Sequence, residues 1–285
     1  MNELDKKDEA SYFMDEGRQG LINQNQIIPW IDMRLTEEEL EFLKSILSSI
    51  TKEQVRQMRD TYAIDGYSKG AGNVARCDLV DKDNWFYENV LKDLTEKLFY
   101  DKWENYRKYV VPQNKNKPLP EFHLQSLWAN FQKKHDHVPL HNHGGLYSFV
   151  VYIKIPTDWR TQHDRPEGTV SNGSAASDFS MVWPGNRDQP CRVHNVLLSP
   201  KDEGRMLFWP AWLQHMVYPF YDCEEERISI SGNINLKEVK SEEGKVRGSI
   251  NLKGDGRIHL VATTEQSSED PKEIKKLFQK FKSNR

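Results

Sequence analysis

The chain has 285 residues, 37% hydrophobic, 29% charged and 11% aromatic, the make-up of a soluble globular protein and close to the upper limit of what one core supports. A formal charge of −3 with both signs interspersed excludes a continuous basic surface for a nucleic-acid backbone. Cys77, Cys191 and Cys223 show no CxxC spacing, which excludes a disulfide framework and a cysteine zinc site. No stretch reaches the apolar length of a signal sequence or membrane span, so a cytoplasmic protein without a membrane partner is expected.

Residues 1–118 read as an N-terminal helical support region. Thr36 with Glu39 and Thr51 with Gln54 form two capping boxes, each opening a run of helix formers. Leu40, Leu43, Leu47 and Ile50 recur at helical spacing. A further helix is predicted from Asn84 to about Lys102, with Val90, Leu91, Leu94 and Leu98 on its apolar face. The glycine-rich "DGYSKGAGN" between these helices lacks the ending of a phosphate-binding loop and reads as a plain loop. The proline- and lysine-rich "VPQNKNKPLP" at 111–120 is a break.

From residue 119 to 237 short apolar or alternating runs follow one another, among them "FHLQSLWANFQ", "YSFVVYIKIP", "RMLFWP" and "RISISGNI". They predict a mainly β core, a barrel or two facing sheets, covered by the N-terminal helices. The polar stretch 157–177 reads as a long loop. Residues 238–285 predict a β-hairpin about Gly254-Asp255-Gly256 followed by a charged tail.

Four of the nine histidines fall in "HDHVPLHNHGG". His141 and His143 are two apart, so on an extended strand both rings project from one face. His135 and His137 share that spacing but stand among Lys133, Lys134 and Asp136, and are placed on the surface. A third ligand is expected from His215, which follows an apolar strand and a proline turn in "RMLFWPAWLQHMVYPF". In "RISISGN", Arg227, Ser229, Ser231 and Asn233 share one face while Ile228, Ile230 and Ile234 share the other. His123 and His194 are spare histidines, and Asp136 and Asp178 are carboxylates that would serve in place of His143. The bland alternative is a barrel with a wetted polar face and incidental histidines, acting as a structural or binding protein.

The order HxH, a distal His, then Arg-x-Ser resembles the iron(II)- and 2-oxoglutarate-dependent oxygenases, in particular their prolyl-hydroxylase-like branch and phage and bacterial members. "LWANFQ", "SFVVYIKIP" and "GRMLFWPAWLQHMVYP" resemble the family's local strings over roughly residues 120–235. The resemblance implies a double-stranded β-helix of the jelly-roll or cupin-like type. It also implies iron(II) held by His141, His143 and His215, with 2-oxoglutarate as cosubstrate held by Arg227, Ser229 and Tyr152. The activity implied is a dioxygenase, a hydroxylase in type, that takes O2 and oxidises a small-molecule or protein substrate, with ascorbate as an auxiliary reductant.

The commonest family pattern has a carboxylate where His143 stands. A cupin-like three-histidine dioxygenase or isomerase that does not use 2-oxoglutarate is therefore a competing reading, although it would want a Glu shortly after His143, and "HGGLYSF" has none. For substrate contact the sequence offers Trp159, Arg160, Trp183 and Arg187, with the loops at 65–83 and 157–190 framing the entrance.

Overall fold

The computed structural model describes residues 11–15, 18–22, 30–65, 73–97, 121–166, 169–170, 173–184, 191–237, 247–252 and 258–263. Contacts divide the chain into a unit of residues 1–237 and a unit of residues 238–285. The first begins with three antiparallel strands, β1 (Ser11–Asp15), β2 (Arg18–Ile22) and β3 (Ile31–Arg34), followed by helices α1 (Glu37–Leu47) and α2 (Lys52–Asp65). Both capping boxes form. Glu39 and Thr36 exchange backbone-to-side-chain bonds of 2.9 and 3.3 Å, and Thr51 and Gln54 exchange bonds of 2.8 and 3.2 Å. Leu43 is fully buried, with Leu40, Leu47 and Ile50 packed around the same core.

Strand β4 (Ala75–Asp78) comes next. The helix predicted from Asn84 opens instead with a 3-10 turn at Lys82–Asn84 and a π-helical turn at Tyr87–Leu91 before α3 (Lys92–Lys97). Its N-terminal amides of Phe86 and Tyr87 donate to the Asp81 carboxylate, each at 2.9 Å, which satisfies two of the groups a helix start leaves open. Val90, Leu91 and Leu94 are buried as their spacing requires. Leu98, the break at 111–120 and most of the glycine-rich loop lie outside the described residues.

Eight strands then build two facing sheets: β5 (Phe122–Gln132), β6 (Val138–His141), β7 (Tyr147–Lys154) and, after α4 (Trp159–His163) and the two-residue strands β8 (Thr169–Val170) and β9 (Gly173–Ser174), β10 (Phe179–Trp183), β11 (Arg192–Val196), β12 (Arg205–Pro210), β13 (Gln214–Val217) and β14 (Arg227–Leu236). The large sheet runs β1-β2-β3-β12-β7-β14-β5-β4 and the small one β11-β10-β13-β6. Counted from β5 without the β8–β9 pair, the eight core strands alternate between the sheets as first-eighth-third-sixth and second-seventh-fourth-fifth. This is jelly-roll order, the double-stranded β-helix. The N-terminal third thus supplies strands as well as helices: β3 extends the large sheet beside β12, where Arg205 makes a bidentate pair with Asp32 (2.8 and 2.6 Å), and β4 closes its far edge on β5.

Strand parity divides the core in two. Phe149, Val151, Ile230 and Ile234 face the helices with Leu43, Phe86 and Val90, whereas Val150, Tyr152, Met181, Leu207 and Trp209 fill the space between the sheets. Both faces of β7 are therefore covered, and seven of its eight residues are buried, which explains its unbroken apolar run. In the second unit, β15 (Arg247–Leu252) and β16 (Ile258–Thr263) pair antiparallel from Arg247↔Thr263 to Leu252↔Ile258. The glycine turn between them and the charged tail lie outside the described residues.

Close packing across β14 makes Gly232 irreplaceable: a Cβ there would stand 2.6 Å from the Phe149 ring and 2.7 Å from the Ser126 carbonyl, while one at Gly144 meets nothing within 4 Å. Gly232→Ala is expected to lower unfolding free energy by about 2 kcal/mol or more through overpacking. Gly144→Ala is expected to stay within about 0.5 kcal/mol of the parent in the same urea titration.

Candidate metal centre

The antiparallel pairing of β6 with β13 sets His141 directly opposite His215, with an irregularity between His215 and Val217. His143 follows β6, its backbone anchored by donation to the Ala211 carbonyl at 2.9 Å. The two-residue spacing thus carries both rings to one side, as strand parity predicts. One candidate ligand atom from each of His141, His143 and His215 lies within 4.8 Å of the others. His143 Nε2 and His215 Nε2 are 3.1 Å apart, and the His141 and His215 ring centroids 4.2 Å.

The outer nitrogens fix two of the rings. His141 Nδ1 lies 2.7 Å from the Pro139 carbonyl and His215 Nδ1 3.0 Å from that of Leu213. A carbonyl only accepts, so both Nδ1 atoms carry protons and both Nε2 lone pairs turn inward. His215 is further held between the Phe179 ring, stacked at 5.5 Å, and the Trp209 ring, edge-on at 5.0 Å. Burial depresses the basicity of all three: it lowers His141, pushes His143 down to about 3 with help from His141 and Arg76, and holds His215 well below the usual value. Three neutral imidazoles at neutral pH are three ready metal donors.

These rings open into a cavity of about 330 Å³ between the sheets, whose wall also includes Tyr152, Arg227, Ser229 and Ser231. The polar face of β14 therefore looks inward rather than into water. Arg227 is 3% exposed. Its Nη2 donates to the Ser177 carbonyl at 2.9 Å and makes a short bond to the Ser177 hydroxyl, whereas its Nε and Nη1 are buried with no hydrogen-bond partner. Tyr152 lies opposite Ser229 in the β7–β14 register, and burial raises its phenol well above the usual value, keeping the proton on the oxygen. Ser229 and Ser231 each accept from Asn130 Nδ2, at 3.3 and 3.0 Å, which leaves their own protons free.

The spare residues go elsewhere. His194 packs on Trp30 at 4.9 Å, and His123 sits on β5 opposite Asn235. Asp136 pairs with Arg59 of α2 at 2.8 Å. Asp178 is fully buried against His163 Nε2 at 2.9 Å. Among the described residues no carboxylate joins the three histidines. His135 and His137 are exposed. Of the expected substrate contacts, Trp183 packs on Trp30 and Trp159 lies under Arg160, both away from the cavity wall, and Arg187 lies outside the described residues. The reading missed Arg76, Trp128 and Asn130, which do line the cavity. For the last two the signal was present: Trp128, Asn130 and Gln132 alternate along β5 as Ser229 and Ser231 do along β14.

Because its ring is buried neutral, His143 makes metal-free protein sensitive to acid. With a folded value near 3 against about 6.5 unfolded, the unfolded chain binds more protons between those limits. The stability is complete above about pH 6.5 and is lost as the pH falls toward 3. His143→Gln is expected to flatten the fall of the melting temperature of apo-protein between about pH 7 and 4.

Residues 126–233, from within β5 to within β14, match the family described as "Putative 2OG-Fe(II) oxygenase". No curated protein matches the sequence. Among solved structures the chain is similar to the collagen prolyl hydroxylase of Paramecium bursaria Chlorella virus-1 in its 2-oxoglutarate complex, at 11% identity over 72% of this chain and 94% of that one, with a TM-score of 0.39. A Pseudomonas putida prolyl-4-hydroxylase gives 13% identity over 74% and 94%, with a TM-score of 0.41. HygX of Streptomyces hygroscopicus with nickel and 2-oxoglutarate bound gives 12% over 72% and 82%, with a TM-score of 0.37. The family match spans every residue of the histidine cluster together with Arg227 and Ser229, so over this segment the chain is similar to the 2OG-Fe(II) oxygenases.

Proposed function

We propose that His141, His143 and His215 hold iron(II) and that Arg227, Ser229 and Tyr152 hold 2-oxoglutarate, in an enzyme of hydroxylase type. The observation that carries this reading is the Arg227 guanidinium. It is a buried cation with two N–H groups that lack partners, on the wall of the cavity into which the three imidazoles open. A buried donor without a partner costs about 1–3 kcal/mol, more when charged, and a carboxylate entering the cavity would remove that cost with a charge-assisted pair. The same feature favours this reading over a cupin-like enzyme without 2-oxoglutarate, which has no use for such a cation.

The protein's own part follows from the residues. Ser177 holds one edge of the guanidinium and so turns the free edge toward the cavity. Tyr152 and Ser229 bring phenol and hydroxyl protons to the same wall. The three neutral imidazoles give a divalent ion donors but no charge, so the dianionic cosubstrate is what balances the metal. Trp209, Phe179 and Val150 keep the inner cavity apolar, which strengthens each polar contact and shields a reactive centre from water. When bound, iron(II) with 2-oxoglutarate and O2 supplies oxidative decarboxylation to succinate and carbon dioxide, coupled to oxidation of the substrate. Among the described residues no helix is long and apolar enough to cross a membrane; we place the enzyme in the cytoplasm, with a small molecule or protein as substrate.

Anaerobic titration of iron-loaded protein with 2-oxoglutarate should produce the weak visible charge-transfer band of a bidentate chelate. Arg227→Ala should weaken the apparent affinity by about 30-fold or more, the range for stripping one partner from a buried charge pair, with iron content unchanged. His215→Ala should abolish iron retention after gel filtration. A band of undiminished affinity in Arg227→Ala would remove the cosubstrate assignment.

A further inference from the structure

We propose that Arg76 and Trp128 form the substrate-binding wall of the cavity and that the substrate carries an oxyanion, a carboxylate or a phosphoryl group, which Arg76 holds. The proposal rests on the reading of the histidine cluster and Arg227 given above and concerns the wall those residues leave unused.

Arg76 is on β4, the edge strand of the large sheet, directly opposite Asn130 of β5. Its guanidinium lies over the Trp128 ring at 3.9 Å from the centroid, a cation–π contact that orients the plane, while one edge makes a long contact to Asp78 at 3.5 Å. Trp128 is itself fixed: its Nε1 donates to Asn130 Oδ1 at 3.0 Å, and its ring lies 5.7 Å from that of His143. The charge of Arg76 is felt at His143, whose protonation it disfavours. This cation therefore stands beside the metal cluster and is part of the cavity wall. Arg76 and Arg227 are the charged side chains of that wall, and no Asp or Glu lines it among the described residues.

Charge balance separates the two arginines. Arg227 has the buried Asp178 carboxylate acting on it from behind the wall, and would in addition receive a cosubstrate carboxylate. The remaining charge of the cosubstrate is needed at the metal, because three imidazoles contribute none. Among the described residues the acidic partner of Arg76 is Asp78, at 3.5 Å and with its side chain 84% exposed, a pair that water screens. The side chain of Arg76 is 26% exposed, so it is partly desolvated yet within reach of a ligand entering from solvent. A cleft lined by cations alone concentrates anions. A planar guanidinium braced on an indole is suited to bidentate capture of a carboxylate or phosphoryl group.

The test uses full-length protein loaded with iron(II) and 2-oxoglutarate under anaerobic conditions. Acetate and methylphosphonate are titrated in turn at constant ionic strength, with methylammonium as the cationic control. Thermal stability and the charge-transfer band are followed together. Saturable stabilisation by one or both anions and none by methylammonium is expected, and whichever anion binds more tightly identifies carboxylate or phosphoryl chemistry. Arg76→Gln should raise the half-saturating concentration at least about tenfold, and Arg76→Lys, which keeps the charge without the planar fork, by a smaller factor. The melting temperature of each variant without anion shows that it folds.

Absence of saturable stabilisation in the parent, or an equal response in Arg76→Gln and Arg76→Lys, overturns the proposal. An anion response lost in Arg227→Ala but kept in Arg76→Gln also overturns it, because the anion then sits in the cosubstrate pocket. A missing charge-transfer band counts against the cosubstrate reading instead, and the anion response and its dependence on Arg76 are still read from the thermal shift.

Discussion

His141 and His215 are cross-strand partners on β6 and β13, and that single pairing brings together residues far apart in the chain. Slipping the register by one residue would send the His215 ring to the opposite face of the sheet, and nothing local prevents such a slip in two four-residue strands. The constraint comes from outside the pair. β13 is also held by β10, where His215 lies opposite Met181. Phe179 closes on its ring from the neighbouring β10 and Trp209 from β12 of the facing sheet, and the His143 amide is tied to Ala211 at the turn before β13. The geometry of the cluster is thus a property of the small sheet together with the strand that faces it.

Around it the molecule concentrates groups that are costly to bury. Arg227 sits in the protein with two N–H groups unmet, His215 is 3% exposed with its inner nitrogen bare of a proton, and Asp178 has one buried oxygen with no hydrogen-bond partner. Departures of this kind from full satisfaction of buried polar groups gather where a fold is built to receive something. They persist because the packing behind them is dense, with Phe149, Val151, Ile230 and Phe86 filling the space between the large sheet and its helices. Those helices in turn are tied to the barrel by polar contacts such as Arg59 with Asp136 and Glu226, at 2.8 and 3.1 Å.

Local chemistry was readable because short-range interactions decide it. The capping boxes at Thr36 and Thr51, the buried faces of α1 and of the helix through Val90, the shared side of His141 and His143, and the alternation of Arg227, Ser229 and Ser231 with Ile228 and Ile230 all follow from 3.6-residue and 2-residue periods. The strands of the N-terminal third were not legible in the same way. β3 and β4 are four residues each, too short to show a period, and they are strands because an open sheet edge was there to pair with.

The sequence by itself determined a strand-rich core, the shared side of His141 and His143 and the arginine-serine face, since each is carried by residue type at fixed spacing, while the double-stranded β-helix was implied by the family resemblance. Only the tertiary structure decided that no described carboxylate reaches the histidines, that Asp178 turns to His163 rather than to the histidine cluster, and that Arg76 from an added edge strand lies on Trp128 beside it. The physical reason is that these relations join segments between which the chain is free to take many paths. Sheet register and burial select one, and neither is encoded within the span of a single element.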